Sequence, residues 1–151
     1  MTAVLEVEGL KTHFHTRDGV VKAVDDVSFS LERGEIVGLA GESGSGKTVT
    51  GFSLIGLVDA PGRIVAGSVR LNGTELVGMS ERELRKRRGR EISMIFQDPI
   101  ATLNPMLSIG QQMRMAIAAH ERLSRRAADT RCADLLAKVG IPSARERLRA
   151  Y

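Results

Sequence analysis

Eight consecutive residues in the first third of the chain have the types and spacing needed to hold phosphate groups. They read Gly41-Glu42-Ser43-Gly44-Ser45-Gly46-Lys47-Thr48, matching the pattern of glycine, four residues, glycine, lysine and serine or threonine. The glycines let the backbone curl until successive N–H groups point at phosphate oxygens. Lys47 would supply a positive charge for the β- and γ-phosphates, and the Thr48 hydroxyl would coordinate Mg²⁺. All eight residues are therefore predicted to bind a nucleoside triphosphate.

The segments on either side of this loop favour the order strand, loop, helix. Residues 36–40 are almost continuously apolar, which is typical of a strand buried on both faces of a parallel sheet. Residues 49–57, from Val49 onward, carry one broad apolar helical face. The N-terminus of that helix would add free N–H groups and a partial positive charge. This context favours a phosphate loop over the alternative, a glycine-rich turn.

The remaining pattern predicts an antiparallel β layer followed by a parallel core and then helices. Asp18-Gly19 and Asn72-Gly73 are turn signals, and serines at 80, 108, 124 and 143 stand where helices would begin. The predicted strands span residues 4–14, 20–31, 36–40, 67–71 and 92–96, and the later helices span residues 80–88, 108–120, 124–139 and 143 onward. We divide the chain at about residue 98, with a β layer and phosphate-loop core before it and a mainly helical part over 99–151.

Composition and charge exclude several classes of protein. With 151 residues, 42% of them hydrophobic and 26% charged, the chain suits one globular domain and has no apolar run of membrane-spanning length. We expect neither a secretion signal nor a disulfide, because the N-terminus lacks a signal's pattern and Cys132 is the single cysteine. These features favour a reducing cytoplasm and a buried, structural Cys132.

The net charge of +4 comes mainly from arginine, and a basic cluster lies near position 85. Its members are Arg82, Arg85, Lys86, Arg87, Arg88 and Arg90. Glutamates alternate with them and no aromatic side chain is present to stack on a base. We interpret the cluster as the solvated face of a short helix and predict no nucleic-acid partner.

Three segments together resemble one family. Residues 21–29 look like a strand leading to a phosphate loop, residues 41–48 match a Walker A motif, and residues 94–99 look like a Q-loop that continues through Leu103-Asn104-Pro105. This combination resembles the ATP-binding subunits of ABC transporters of the oligopeptide and dipeptide importer type, over essentially the whole chain. The resemblance implies an α/β fold of the P-loop NTPase class. Its parts are an antiparallel β layer, a parallel core sheet and the beginning of a helical subdomain, all in incomplete form.

The resemblance also implies ligands, partners and a location. ATP and Mg²⁺ would be the cofactors, and ATP binding and hydrolysis would drive the transport of peptides. The partners would be membrane-spanning permease subunits, a second ATP-binding subunit in a homo- or heterodimer and, indirectly, a substrate-binding protein. The chain would lie peripherally on the cytoplasmic face of the inner membrane.

Two further residues are candidates for the site. Gln97 follows a predicted buried strand, where its amide could bind Mg²⁺ or orient water but could not act as a base; the alternative is a glutamine that caps a strand end. By resemblance Gln97 contacts the metal and the γ-phosphate, which makes Gln97 and Lys47 the catalytic candidates and Gln97 and Thr48 the metal candidates. The apolar Ile100 and Leu103 would then face the membrane-spanning partner. Phe14 would stack on adenine, or else belong to the core.

Several motifs of the resembled family do not occur in residues 1–151. The sequence contains no Leu-Ser-Gly-Gly-Gln signature, no strand ending in Asp-Glu that could serve as a Walker B motif, and no switch histidine. We therefore expect little ATP hydrolysis by this chain alone, an unpaired edge at residues 36–40, and a truncated or split gene or a partial product of one. The alternatives are a nucleotide-binding fragment without turnover and another P-loop NTPase, such as a small kinase or GTPase, although the Asn-Lys-x-Asp guanine motif is absent.

Overall fold

The computed structural model describes residues 3–98 and 102–151. The chain divides into two units, residues 1–94 and 95–151, and each is described by itself. The first unit contains a sheet and the phosphate loop, and the second is helical.

A four-stranded antiparallel sheet forms the body of the first unit. Its strands are β1 (Ala3–Thr16), β2 (Gly19–Glu32), β3 (Gly62–Leu71) and β4 (Thr74–Glu75), in the spatial order β2-β1-β3-β4. The hairpin predicted at Asp18-Gly19 is confirmed, because β1 and β2 pair from Thr16 and Gly19 outward. The turn at Asn72-Gly73 is likewise confirmed, and β3 begins five residues before the predicted strand.

A register shift in β1 explains the mixed polarity of its sequence. Leu5 and Val7 are buried at odd positions, whereas Leu10 and Thr12 are buried at even positions. Pairing with β2 is irregular between Val7 and Leu10, which moves the buried set from one parity to the other. The core of this unit can therefore continue along the whole strand; it also contains Val24, Val69, Leu71, Leu76 and Leu84.

Two helices accompany the sheet. Helix α1 (Lys47–Leu54) follows the phosphate loop and α2 (Glu81–Arg87) follows Ser80, whose predicted capping box with Glu83 is confirmed. The hydroxyl groups of Thr12 in β1 and Ser53 in α1 lie 2.8 Å apart and are both buried. Ser53 donates to the carbonyl of Val49, so Thr12 is the donor to Ser53. This hydroxyl pair joins α1 to the sheet.

The parallel core sheet predicted from residues 36–40 and 92–96 is wrong for the residues described. Neither segment pairs with any strand named above, and the one parallel contact is an isolated bridge between Arg88 and Ile92. Ile36 is 96% exposed and Ile95 is 98% exposed. Parallel strands are stable only when neighbours on the sheet satisfy their backbone groups and helices cover their faces. Apolar composition indicates that these segments tend to form buried strands, but it does not identify the strands with which they would pair.

The described residues of the second unit include the helices α3 (Ile109–Ala118), α4 (Arg125–Lys138) and α5 (Ala144–Arg147). The predicted caps at Ser108 and Ser124 are confirmed, because both side chains accept a backbone N–H. A helix also begins after Ser143, as predicted, but this residue has a left-handed backbone (φ 51°) and its side chain forms no cap hydrogen bond.

The single cysteine, Cys132, lies on α4 in the second unit. It is fully buried on α4 beside Ala128, Ala133 and Leu136, which confirms the predicted structural thiol. Burial raises the pKa of the Cys132 thiol, and this favours the unreactive protonated form. None of the helices in the described ranges is long and apolar enough to cross a membrane.

Candidate functional site

The phosphate-binding pattern lies at the start of α1, where its chemistry requires it. Gly46 is the N-cap residue and Lys47 is the first residue of the helix. Both Gly44 (φ 82°) and Gly46 (φ 87°) have left-handed backbones, which residues with a Cβ adopt only at a cost. The first N–H groups of a helix have no partner within it, so those of Lys47, Thr48 and Val49 are available to an anion.

The phosphate loop closely approaches the backbone of β2 at Gly46. A Cβ atom at Gly46 would overlap the carbonyl oxygen of Ala23, a residue of β2. Only glycine therefore allows the loop to approach the sheet this closely. The strand predicted to support the loop, residues 36–40, does not do so; the antiparallel sheet does.

Lys47 extends back across the loop. Its Nζ donates to the carbonyl oxygens of Gly41 (2.8 Å) and Glu42 (2.7 Å) and to the Ser45 hydroxyl (3.2 Å). The ammonium group therefore lies among three oxygen atoms of the loop. Phosphate oxygens would compete for the same donor. Glu42 and Ser43 are exposed residues of the turn, and Ser45 donates its N–H to the Glu42 carbonyl.

Two threonines near the start of α1 have different environments. Thr48 is exposed, so its hydroxyl is accessible to a ligand. Thr50 is buried, and its hydroxyl donates to the carbonyl of the N-cap residue Gly46 at 3.0 Å. Thr50 was not identified from the sequence; its signal was a polar residue three positions before Ser53, on the same side of the predicted helix. It stabilises the turn from which the phosphate-binding N–H groups project.

Gln97 lies in the second unit and is exposed. The strand expected to precede it is not formed, because none of the strands named above includes residues 93–96. Ile100 lies outside the described residues. Leu103 and Met106 are both exposed, Met106 to 81%.

Phe14 occupies a position near the end of β1, opposite Val21 of β2 and Gly62 of β3. Its ring covers the backbone of Gly62: a Cβ atom there would lie 2.6 Å from the ring carbon Cε1. The side chain is half-buried. One part of the ring therefore packs on the sheet, and its role toward adenine stays a prediction.

The described residues contain no cluster of three or more histidine, cysteine, aspartate or glutamate side chains that could hold a metal ion. The oxygen ligands at the loop suit a metal ion that is shared between the protein and the phosphates of a bound nucleotide. Mg²⁺ prefers oxygen ligands and is commonly held by one or two protein groups together with substrate phosphates. The exposed Thr48 hydroxyl, in the first turn of α1, fits that arrangement.

The loop, its helix and the antiparallel layer are features of nucleotide-binding cassettes, and the family comparison agrees with them. Residues 24–150 match the model of the family described as ABC transporter. The chain belongs to the ABC transporter family.

Its curated relatives include the dipeptide transport ATP-binding protein DppD of Escherichia coli, 43% identical over 99% of this chain and 46% of its own length. The oligopeptide transport ATP-binding protein OppD of the same species is 45% identical over 99% of this chain and 44% of its own length. The chain spans about half the length of these relatives.

A solved structure supports the fold. The dimeric structure of MJ0796, a bacterial ABC transporter cassette, matches with a TM-score of 0.69 and 17% identity. The match covers 96% of this chain and 66% of the cassette. The α/β cassette class inferred from the sequence is therefore confirmed, although its parallel sheet is not formed by the described residues.

Proposed function

We propose that this chain is the ATP-binding part of an ABC importer for dipeptides or oligopeptides. The observation that carries the proposal is the loop that ends in Gly46 and Lys47, packed on the carbonyl of Ala23 with Lys47 Nζ held by loop oxygens. Relatives named for dipeptide and oligopeptide transport support the substrate class.

Residues 41–48 would hold the triphosphate of ATP. Lys47 Nζ would exchange its bonds to the carbonyls of Gly41 and Glu42 for bonds to phosphate oxygens, and the first N–H groups of α1 would bind the same group. Thr48 and Gln97 would hold Mg²⁺, which neutralises charge on the phosphates when bound. Phe14 would stack on the adenine ring.

We infer the partners from the same family membership. Membrane-spanning permease subunits and a second ATP-binding subunit would complete the transporter, and a substrate-binding protein would deliver the peptide. The dimeric cassette of MJ0796 supports the pairing of ATP-binding subunits. The chain would act at the cytoplasmic face of the membrane, with the exposed Leu103 and Met106 toward the permease.

A second candidate is nucleotide binding without turnover by residues 1–151 alone. It is favoured by the absence from these residues of a Walker B carboxylate and of a signature motif. Loss of such groups lowers catalytic rates by orders of magnitude. Single-turnover hydrolysis of bound ATP by the purified chain tests this candidate, since an ordinary rate would eliminate it.

Peptide uptake by the encoding organism tests the main proposal. Lys47→Ala at the chromosomal locus should abolish uptake of a labelled dipeptide or a labelled oligopeptide while leaving uptake of a free amino acid unchanged. The matched control is Lys86→Ala, which removes the same charge from an exposed position on α2. Normal uptake of both peptides by the Lys47→Ala strain would refute a role in peptide import.

A further inference from the structure

Arg88 is not part of a solvated basic face, contrary to the interpretation of the sequence. Its side chain is only 18% exposed. The guanidinium group donates from Nε to the carbonyl of Ile55 (2.7 Å) and from Nη2 to the carbonyl of Gly56 (2.7 Å). These two carbonyls lie just past the C-terminal end of α1.

The other side of the same guanidinium group binds α2. Nη1 donates to Oε1 of Glu81 (2.8 Å) and Nη2 to Oε2 (3.1 Å), a bidentate pair at the first residue of α2. The bond from Arg88 lowers the pKa of Glu81. The cation lies at the negative end of α1 and the carboxylate at the positive end of α2, and both placements are favourable.

The C-terminal end of α1 packs closely against Leu84 and Arg88. Gly56 has a left-handed backbone (φ 64°), its N–H bonds the Ser53 carbonyl, and the N–H of Leu57 bonds the Phe52 carbonyl. A Cβ atom at Gly56 would lie 2.7 Å from Leu84 of α2. The helix end is therefore fixed against α2 by both packing and hydrogen bonds.

Helix α1 is short enough for its two ends to be coupled. Its eight residues span about 12 Å. Its N-terminal end is the phosphate loop, and its last turn is bonded to the sheet through Ser53 and Thr12. The bonds of Arg88 to the carbonyls of Ile55 and Gly56 provide a second attachment beside the first. Without this second attachment the helix could pivot about Ser53, and the N–H groups at its other end would turn.

We propose that Arg88 is a positioning residue for the phosphate loop, which acts by fixing the C-terminal end of α1 to α2. The predicted effect of Arg88 on the affinity for ATP rests on the proposed function. Its structural part, the orientation of the loop, is independent of any nucleotide.

The experiment compares Arg88→Ala, Arg88→Lys and Arg87→Ala in the full chain. Arg87 is the matched control, because it is the adjacent arginine and its Nη1 bonds Glu91 (2.7 Å). The first readout is the set of amide resonances of Gly44, Gly46 and Lys47 in the nucleotide-free chain, by ¹⁵N-correlated NMR. The second is the dissociation constant of Mg²⁺·ATP.

Arg88→Ala should shift these loop resonances and weaken ATP binding about 5- to 30-fold, whereas Arg87→Ala should do neither. Arg88→Lys should restore part of the affinity, because an ammonium group can reach the carbonyls but cannot also form the bidentate pair. Unchanged loop resonances in a folded Arg88→Ala chain would overturn the proposal, as would equal effects of Arg87→Ala.

If Arg88→Ala does not fold, Glu81→Gln replaces it, since this change weakens the bidentate pair and leaves the arginine in place. Loop resonances that match the wild type in both Glu81→Gln and Arg88→Lys would then overturn the proposal. A wild-type chain that fails to bind ATP would refute the proposed function, while the amide resonances would still test the position of the loop.

Discussion

At the scale of single residues, the phosphate loop depends on the absence of a side chain at Gly46 as much as on the positive charge of Lys47. Gly46 combines a left-handed backbone with a close approach to the carbonyl of Ala23. Gly44 shares the left-handed backbone but has open space around it. The two glycines therefore allow backbone conformation and close contact to be separated experimentally.

We predict that Gly46→Ala both destabilises the first unit and abolishes ATP binding. The new methyl group would force the loop away from β2, in addition to a backbone cost of about 1–3 kcal/mol. Urea denaturation and calorimetric titration with ATP measure the two effects. The control is Gly34→Ala, which has a similar φ (79°) but no atom near its Cβ position. Equal loss of stability in the two variants would show that the contact with Ala23 has no effect.

A second residue-scale prediction concerns Glu75 and pH. Its carboxylate accepts the N–H groups of Val69 (3.0 Å) and Val77 (2.9 Å) and a bond from the Ser68 hydroxyl. Burial raises the pKa of Glu75, but these bonds and Arg70 outweigh it, and the net pKa lies below 4.5. The carboxylate therefore stabilises the fold above pH 4.5, and this contribution disappears as pH falls through the lowered pKa.

Glu75→Gln should consequently lower the free energy of unfolding near pH 7, and its difference from the wild type should shrink as the pH falls below 4.5. Glu32→Gln, at an exposed glutamate at the end of β2, is the control. Chemical denaturation across pH 3 to 7 supplies the comparison. A difference between Glu75→Gln and wild type that grows toward acid pH would contradict the assignment.

Sequence alone identified the loop residues because their pattern is local and contiguous. It missed Thr50 and misread Arg88, because the roles of these side chains depend on which carbonyls lie nearby in the fold. A basic residue among other basic residues gives no indication that its partners are 32 and 33 positions away.

At the scale of elements, local signals were reliable and non-local pairing was not. The β1–β2 hairpin and the helices after Ser80, Ser108 and Ser124 were predicted from turns and caps that are complete within a few residues. The parallel strands were not obtained, because their stability depends on partners far along the chain. Helix α1 ends at Leu54, three residues before the predicted limit of the segment at residue 57.

We predict that Gly56→Ala destabilises the first unit more than Gly78→Ala does. Both glycines have left-handed backbones, with φ values of 64° and 79°, but only Gly56 faces another side chain, Leu84 at 2.7 Å. The backbone term should cost about 1 kcal/mol in both, and overpacking should add about 1–3 kcal/mol at Gly56. Thermal unfolding followed by circular dichroism measures the difference. Identical melting temperatures would indicate that α1 and α2 are not closely packed.

At the scale of the whole molecule, the chain carries an exposed apolar segment at residues 36–40. Ile36, Val37 and Leu39 are all exposed, and no strand in the described part of the chain pairs with them. Such a segment favours association between chains. The chain spans about half the length of its curated relatives. The association is therefore predicted for these 151 residues in isolation.

Ile36→Lys should therefore reduce self-association without loss of stability, because the side chain makes little contact with the fold. Light scattering against protein concentration gives the association, and urea denaturation gives the stability. Ser30→Lys is the control, since it adds the same charge at an exposed polar position of β2. Equal improvement in both variants would attribute the effect to net charge and not to residues 36–40.

The binding of Mg²⁺·ATP to the purified chain tests the central claim most directly. Isothermal titration calorimetry should show one saturable site in the wild type and in Lys86→Ala. Lys47→Ala should bind at least about tenfold more weakly, which corresponds to about 1.4 kcal/mol. Equal affinities in Lys47→Ala and wild type, or no binding by the folded wild-type chain, would contradict the account.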